Sequence, residues 1–169
     1  MAAWRDEPDL WSASALTPFL AVLAIAENGR SQLHRMEELE LACRVPRRSA
    51  VLARMAALGL FHLILLGVLT PVLAGFAGIL RAGLYLLTPY LLTAALGLEL
   101  TRRIRGRKGL LACGAAAALV SVLGTAGANM RPALYQRLSL WTAALAAAAV
   151  AAAVEIALCI KEMEELRWN

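Results

Sequence analysis

The sequence predicts an all-α protein: a polytopic integral membrane bundle that forms one domain over residues 1–169. The first indication is composition, because 60% of the residues are hydrophobic and 17% are charged, far from the balance of soluble domains. The second is the run 56–98, whose charged or titratable basic side chains are limited to His62 and Arg81. The third is the pattern of long apolar runs joined by short basic tracts, which is typical of membrane helices.

Four apolar runs have the length of about 20 residues that a helix needs to cross the hydrocarbon core. They cover residues 55–79, 83–101, 109–128 and 138–160. We expect a very short turn at Arg81-Ala82-Gly83 between the first two. Pro71 and Pro89 fall inside these spans and predict kinks, since each removes a backbone hydrogen bond.

A fifth apolar stretch, 13–26, is shorter than the other four. Its length suits a spanning helix, a re-entrant helix or an interfacial helix. The amino terminus lies outside the cell if this stretch crosses the membrane, and inside if it does not. Residues 1–11 show no features of a signal peptide.

The basic residues predict the topology. Loop 28–54 has six arginines and loop 102–108 has five basic residues, whereas the turn near residue 81 has one and loop 129–137 has two. The positive-inside rule assigns the two basic loops, and with them the tail 161–169, to the cytoplasm. We therefore expect a multi-pass protein of a bacterial inner or plasma membrane, with basic tracts that meet lipid headgroups and not nucleic acid.

Segment 31–45 has a different pattern, that of a short amphipathic cytoplasmic helix. Ser31 is a candidate N-cap, and Pro46 ends the segment. One stripe carries Leu33, Met36, Glu40 and Cys43. This helix could lie on the headgroups with its apolar side down, or bind a protein partner. Its three clustered glutamates fit anionic lipid poorly, so a protein partner and the lipid surface both stay open as alternatives.

Polar side chains within the spans have structural interpretations. For His62 an interhelical hydrogen bond is favoured over a proton relay. We expect Glu99 to pair with Arg102 and Arg103, and Glu155 to be an anchor that pairs with Lys161 or a basic loop, although a functional acid is the alternative. The three cysteines, at positions 43, 113 and 159, have no motif spacing and are interpreted as small hydrophobic residues.

Sequence motifs for catalysis are missing. The chain has no Walker nucleotide-binding loop, no H-E-x-x-H, no paired Cys-x-x-Cys and no G-x-S-x-G. We therefore expect no enzyme activity, no cofactor and no metal.

Residues 30–66 resemble the loop between the second and third helices of ABC type-2 permeases. In that family an acidic Glu-x-x-Leu-like stretch precedes a short basic segment and then a long apolar helix; the matching positions are Glu37, Glu38, Leu39, Glu40 and Leu41, then Val45, Pro46, Arg47, Arg48 and Ser49, then Leu52, Ala53 and Arg54. The resemblance implies a coupling helix that docks on a separate ATPase. The implied docking residues are Met36, Glu37, Glu38, Leu39, Glu40, Arg44, Arg47 and Arg48. The family has six spans, and this chain offers at most five.

Two functions follow as expectations. The first is the membrane subunit of an ATP-driven exporter, which works as a dimer with an ATPase as partner. The alternative is a small regulatory or scaffolding membrane protein that holds a cytoplasmic partner without transport; an oligomeric channel for lipids or peptides is a weaker third. Small residues in the alanine-rich fourth span and at Ala74, Gly78, Gly124 and Gly127 favour close helix packing and a homo- or hetero-oligomer.

Overall fold

A computed structural model describes residues 8–33, 47–74, 78–104, 106–130 and 137–165. Five α-helices occupy this part of the chain: α1 (Pro8–Leu33), α2 (Arg47–Ala74), α3 (Ile79–Arg103), α4 (Arg107–Met130) and α5 (Leu138–Glu165). The described residues contain no strand, and the all-α prediction is confirmed. Four segments are long and apolar enough to cross a membrane: Leu52–Leu73, Ile79–Arg103, Arg107–Met130 and Leu138–Lys161.

The predicted turn between the first two spans was wrong. α2 ends at Ala74 and α3 begins at Ile79, so residues 81–83 do not join the two helices. Arg81 and its two neighbours lie in the first turns of α3. Hydropathy does not mark the boundary between the two helices because Ala74 and Ile79 lie within one continuous apolar run.

α1 is longer than the apolar stretch that predicted it. It has 26 residues, of which Ser12–Glu27 form the apolar part. Ser31 lies inside its last turn, so the predicted N-cap at Ser31 was wrong. The reason is that Glu27, Asn28 and Arg30 end the apolar run without ending the helix, since such residues are tolerated in helices. The rest of the predicted amphipathic helix, residues 34–45, lies outside the described residues.

α3 is the central helix of the bundle, because it contacts each of the other four helices. Its buried side chains therefore cover a broad arc of the helix surface and not one narrow stripe. Tyr85, Leu86 and Thr93 are each at most 2% exposed. Small residues on α3, such as Ala95 and Gly97, let neighbouring helices approach closely.

α1 and α3 run in the same direction and pack over a long distance. Near the start of both helices, the Ser14 hydroxyl donates to the Tyr85 carbonyl oxygen at 3.0 Å. Three turns later, Ile25 packs on Gly97 so closely that a Cβ on the glycine would lie 2.2 Å from Ile25 Cδ1. The sequence separation is 71 residues for the pair Ser14 and Tyr85 and 72 residues for the pair Ile25 and Gly97. Because the separation stays almost constant along the helices, α1 and α3 are parallel.

α2 and α4 run opposite to α3. In α2, His62 meets Tyr90 and Thr70 lies near Gly83. In α4, Cys113 contacts Gly97. α5 runs in the same direction as α3. Trp141 packs on Tyr85 near the start of both helices, and Glu155 forms an ion pair with Arg102 near the end of both. The five described helices therefore alternate in direction along the chain.

The outer surface of the bundle is apolar. On α2, Leu60, Phe61, Leu63, Ile64 and Val68 are all about 60% exposed. Side chains of this size at such exposure are typical of a lipid-facing or protein-binding surface, since monomeric soluble proteins rarely expose continuous patches of this kind. This surface fits a multi-pass membrane protein.

Candidate functional site

The alternating helix directions collect the charged residues at one end of the bundle, which we call the charge-rich end. There α1, α3 and α5 finish and α2 and α4 begin. By position along these helices, the residues grouped there are Glu27, Arg30, Arg47, Arg48, Arg54, Glu99, Arg102, Arg103, Arg107, Lys108, Glu155, Lys161, Glu162, Glu164 and Glu165. In the described part of the chain, the opposite end has Asp9, Arg81 and Arg137.

Four charged side chains form a network at this end. Glu99 accepts hydrogen bonds from both Arg102 and Arg103, one turn later on α3. Arg102 also faces α5, where its Nε lies 3.4 Å from Glu155 Oε2. The Glu155 side chain is only 16% exposed. The structure thus places Glu155 beside an arginine of the basic connection, where it joins α3 to α5.

The connection from α3 to α4 is tight. Gly106 has a positive φ of 79°, a conformation that favours glycine. Gly109 also packs closely against the end of α3, since a Cβ on Gly109 would lie 2.1 Å from the Ile104 carbonyl oxygen. This packing holds the start of α4, with Arg107 and Lys108, next to the end of α3.

His62 is buried between α2 and α3 and is 6% exposed. Its Nδ1 lies 3.2 Å from the Tyr90 hydroxyl oxygen, and the two rings meet edge to face with centroids 5.8 Å apart. This is the geometry of an interhelical hydrogen bond. In the membrane interior such a bond satisfies two polar groups that lipid cannot solvate.

The tripeptide Leu-Thr-Pro occurs three times, ending at Pro18, Pro71 and Pro89. Sequence reasoning identified Pro71 and Pro89 but missed Pro18 and the repeat, although the repeated tripeptide was visible in the sequence. The helices continue through all three prolines. The bends predicted at Pro71 and Pro89 stay predictions.

The threonines of these tripeptides are buried, and their hydroxyls donate back to carbonyls in the preceding turn. Thr70 donates to the Leu66 carbonyl at 2.6 Å and Thr88 to the Leu84 carbonyl at 2.7 Å. Thr17 donates to the Ser14 carbonyl at 2.9 Å. That last carbonyl is the one that Pro18 leaves without its usual N–H partner, because proline has none.

The carbonyl that Pro89 leaves free belongs to Tyr85, four residues earlier. The Ser14 hydroxyl of α1 donates to it. A hydrogen bond missing within α3 is therefore replaced by one between helices. On the other side of α1, the Ser121 hydroxyl of α4 donates to the Ala15 carbonyl at 2.9 Å. Both bonds border a small cleft beside Pro89.

Potential metal-binding side chains do not cluster in the described ranges. These residues hold no cluster of three or more metal-binding side chains. Cys113 and Cys159 are free thiols, and buried Cys113 donates to the Gly97 carbonyl at 3.4 Å. Cys43 lies outside the described residues.

Only two of the eight predicted docking residues lie within the described ranges. Arg47 and Arg48 form the first turn of α2, at the charge-rich end. The other six lie outside the described residues: Met36, Glu37, Glu38, Leu39, Glu40 and Arg44. Comparison of the chain with protein-family models, with curated proteins and with solved structures found no match in any of the three.

Proposed function

We propose that this chain is a multi-pass membrane subunit that holds a soluble cytoplasmic protein at its charge-rich end, through segment 31–45. The observation that carries the proposal is the direction of the helices. α1 ends at Leu33 and α2 begins at Arg47, and both points lie at the charge-rich end. The two helix ends that flank residues 34–46 therefore lie at the same end of the bundle as the network of Glu99, Arg102 and Glu155.

The proposal includes five membrane crossings. α1 has 26 residues, which gives a length of about 39 Å at 1.5 Å per residue. It runs parallel to α3 from Ser14 to Ile25, as a crossing helix would. With the charge-rich end in the cytoplasm by the positive-inside rule, the amino terminus is outside and the carboxyl terminus inside the cell.

The partner we favour is an ATPase subunit, so that the chain is the membrane half of an ATP-driven exporter. The support is the resemblance of residues 30–66 to the coupling region of ABC type-2 permeases. The acidic side chains Glu37, Glu38 and Glu40 would bind a basic surface on the ATPase. Two copies of the chain would work together, as the resemblance implies.

The second candidate is a scaffold that holds a regulator and transports nothing. One observation favours it. Among the described residues, the partly buried charged side chains Glu99, Arg102 and Glu155 all lie at one end of the bundle and do not form a path through it. The cleft beside Pro89 has a volume of only about 30 Å³. A transport path would then need a second copy or another subunit.

The docking proposal is tested by charge reversal in the full chain. The variant Glu37→Lys/Glu38→Lys/Glu40→Lys should lose its stoichiometric cytoplasmic partner on affinity purification in nanodiscs. The matched control is Glu162→Lys/Glu164→Lys/Glu165→Lys, which makes the same charge change in the tail. It should retain the partner. Equal recovery with both variants would remove segment 31–45 as the docking element.

A second measurement separates the two partner classes. The purified complex is assayed for ATP hydrolysis in nanodiscs, with the partner alone as the reference. Hydrolysis that depends on both the membrane subunit and intact acids at 37–40 supports the exporter. A partner that hydrolyses no ATP supports the scaffold.

A further inference from the structure

Two carboxyl groups from different helices share one arginine at the charge-rich end. Arg102 on α3 donates from Nη2 to Glu99 Oε2 on the same helix, and its Nε lies 3.4 Å from Glu155 Oε2 on α5. Nε and Nη2 form one edge of the guanidinium group, an edge that can bind both oxygens of a single carboxylate. Here it meets one oxygen from each of two carboxyl groups, so these two groups lie close together.

The Glu99 and Glu155 carboxyl groups are also within hydrogen-bond reach of each other. Glu99 accepts hydrogen bonds from both Arg102 and Arg103, as a carboxylate does. The contact of Glu155 with Arg102 is an ion pair without a hydrogen bond, and the buried Glu155 Oε2 receives no hydrogen bond within the described ranges. Of the two carboxyl groups, Glu155 is therefore the one with an oxygen available to carry a proton.

The charges that act on Glu155 come from α3, the helix on which α5 packs. Within the described part of the chain they are Glu99, Arg102 and Arg103, and Lys161 follows six residues later on α5 itself. The Arg103 side chain is 73% exposed, so water screens its charge. Glu155 thus has one close like charge and one arginine that it must share with that charge. Two neighbouring carboxylates in this position resist being ionised together and bind one proton between them.

We propose that Glu99 and Glu155 form a binding site for one proton at the contact between α3 and α5. Without the proton, Glu155 pairs with Arg102 through charge. With it, the Glu155 O–H donates to the Glu99 carboxylate, and the network of two glutamates and two arginines gains one positive charge. The Glu155 side chain is 16% exposed, which leaves it access to water for the exchange. Proton uptake therefore replaces an ion pair between two helices by a hydrogen bond, whichever cytoplasmic partner the chain holds.

The test is infrared difference spectroscopy of the full chain in lipid bilayers, with the bulk pH lowered from about 8 to about 5. An exposed glutamate stays mostly ionised in this range, since it titrates at about pH 4.3. The signal is the C=O stretch of a protonated carboxyl group, which carboxylates lack and which shifts in deuterated water. Wild type should gain this band, and Glu155→Gln should lose it. The matched control is Glu27→Gln, which changes an exposed glutamate at the same end of the bundle and should keep the band.

Glu99→Gln distinguishes a proton held by the pair from a proton on an isolated carboxyl group. This variant removes the like charge and leaves Arg102 to Glu155 alone, so the midpoint of the Glu155 band should move to lower pH by about one pH unit or more. The amide bands of the same spectra report the helix content of each variant. Two results overturn the proposal: a Glu155→Gln spectrum that gains the band as wild type does, or a Glu99→Gln midpoint equal to that of wild type.

Discussion

The contact between Ile25 and Gly97 gives a quantitative test of the parallel packing of α1 and α3. A Cβ on Gly97 would lie 2.2 Å from Ile25 Cδ1, while the next nearest atoms, Cys113 Sγ and Ile25 Cγ1, lie at 3.6 Å. The single close atom is thus the terminal methyl group. Ile25 is 7% exposed, so it has little room to turn away.

Gly97→Ala should destabilise the bundle by about 1–3 kcal/mol, the usual cost of overpacking a well-packed interior. Ile25→Val removes Cδ1 and should cost about 0.5–1.5 kcal/mol alone. In the double variant the new methyl group meets only atoms at 3.6 Å, an ordinary contact distance. The double variant should therefore be more stable than the sum of the two single effects predicts, with a coupling energy of about 1 kcal/mol.

The assay is reversible unfolding in mixed micelles, followed by circular dichroism or tryptophan fluorescence. The control is Gly67→Ala on α2, where a Cβ meets nothing within 4 Å. Two results would refute the reasoning. One is a Gly97→Ala effect no larger than that of the control, and the other is strict additivity in the double variant.

Three further predictions concern other parts of the bundle. The Thr93 hydroxyl is fully buried and has no hydrogen-bond partner among the described residues. Thr93→Val should therefore raise the free energy of unfolding by about 1 kcal/mol. A lower free energy of unfolding in the same assay would show that the hydroxyl has a partner. Glu155→Gln weakens the pair with Arg102 and should lower stability by at most about 1 kcal/mol, with a smaller difference from wild type in high salt; an unchanged difference would contradict a charge effect. The topology is tested with single cysteines in a background without the native cysteines. Lys108→Cys should react with a membrane-impermeant thiol reagent only after the cells are opened, and Arg137→Cys should react in intact cells. The reverse pattern would show that the orientation is the opposite of the one proposed.

Hydropathy predicted the four long spans because burial in lipid leaves a strong signal over 20 or more residues. It misplaced the turn between the first two spans because the end of α2 and the start of α3 lie within one continuous apolar run. It also gave α1 too short a length, since polar helix-forming residues such as Glu27 and Arg30 continue a helix beyond its apolar part.

Side-chain partners were less predictable because they depend on helix register. The sequence predicted that Glu155 pairs with Lys161 or a basic loop, but it did not single out Arg102, 53 positions away, as the partner. The bond from Ser14 to the Tyr85 carbonyl likewise needs the parallel register of α1 and α3. The proline that frees this carbonyl was visible in the sequence, but the helix that supplies the donor was not.

The central place of α3 has a consequence for biosynthesis. α1 has only the 16-residue apolar stretch Ser12–Glu27, which is short for stable insertion by itself, and much of its packing surface is supplied by a helix translated about 70 residues later. A nascent chain that ends before Ile79 lacks that surface. Ribosome-bound intermediates of this length should release α1 from the bilayer more readily than chains that extend past Arg103, because α1 gains its main packing partner only after α3 has been made.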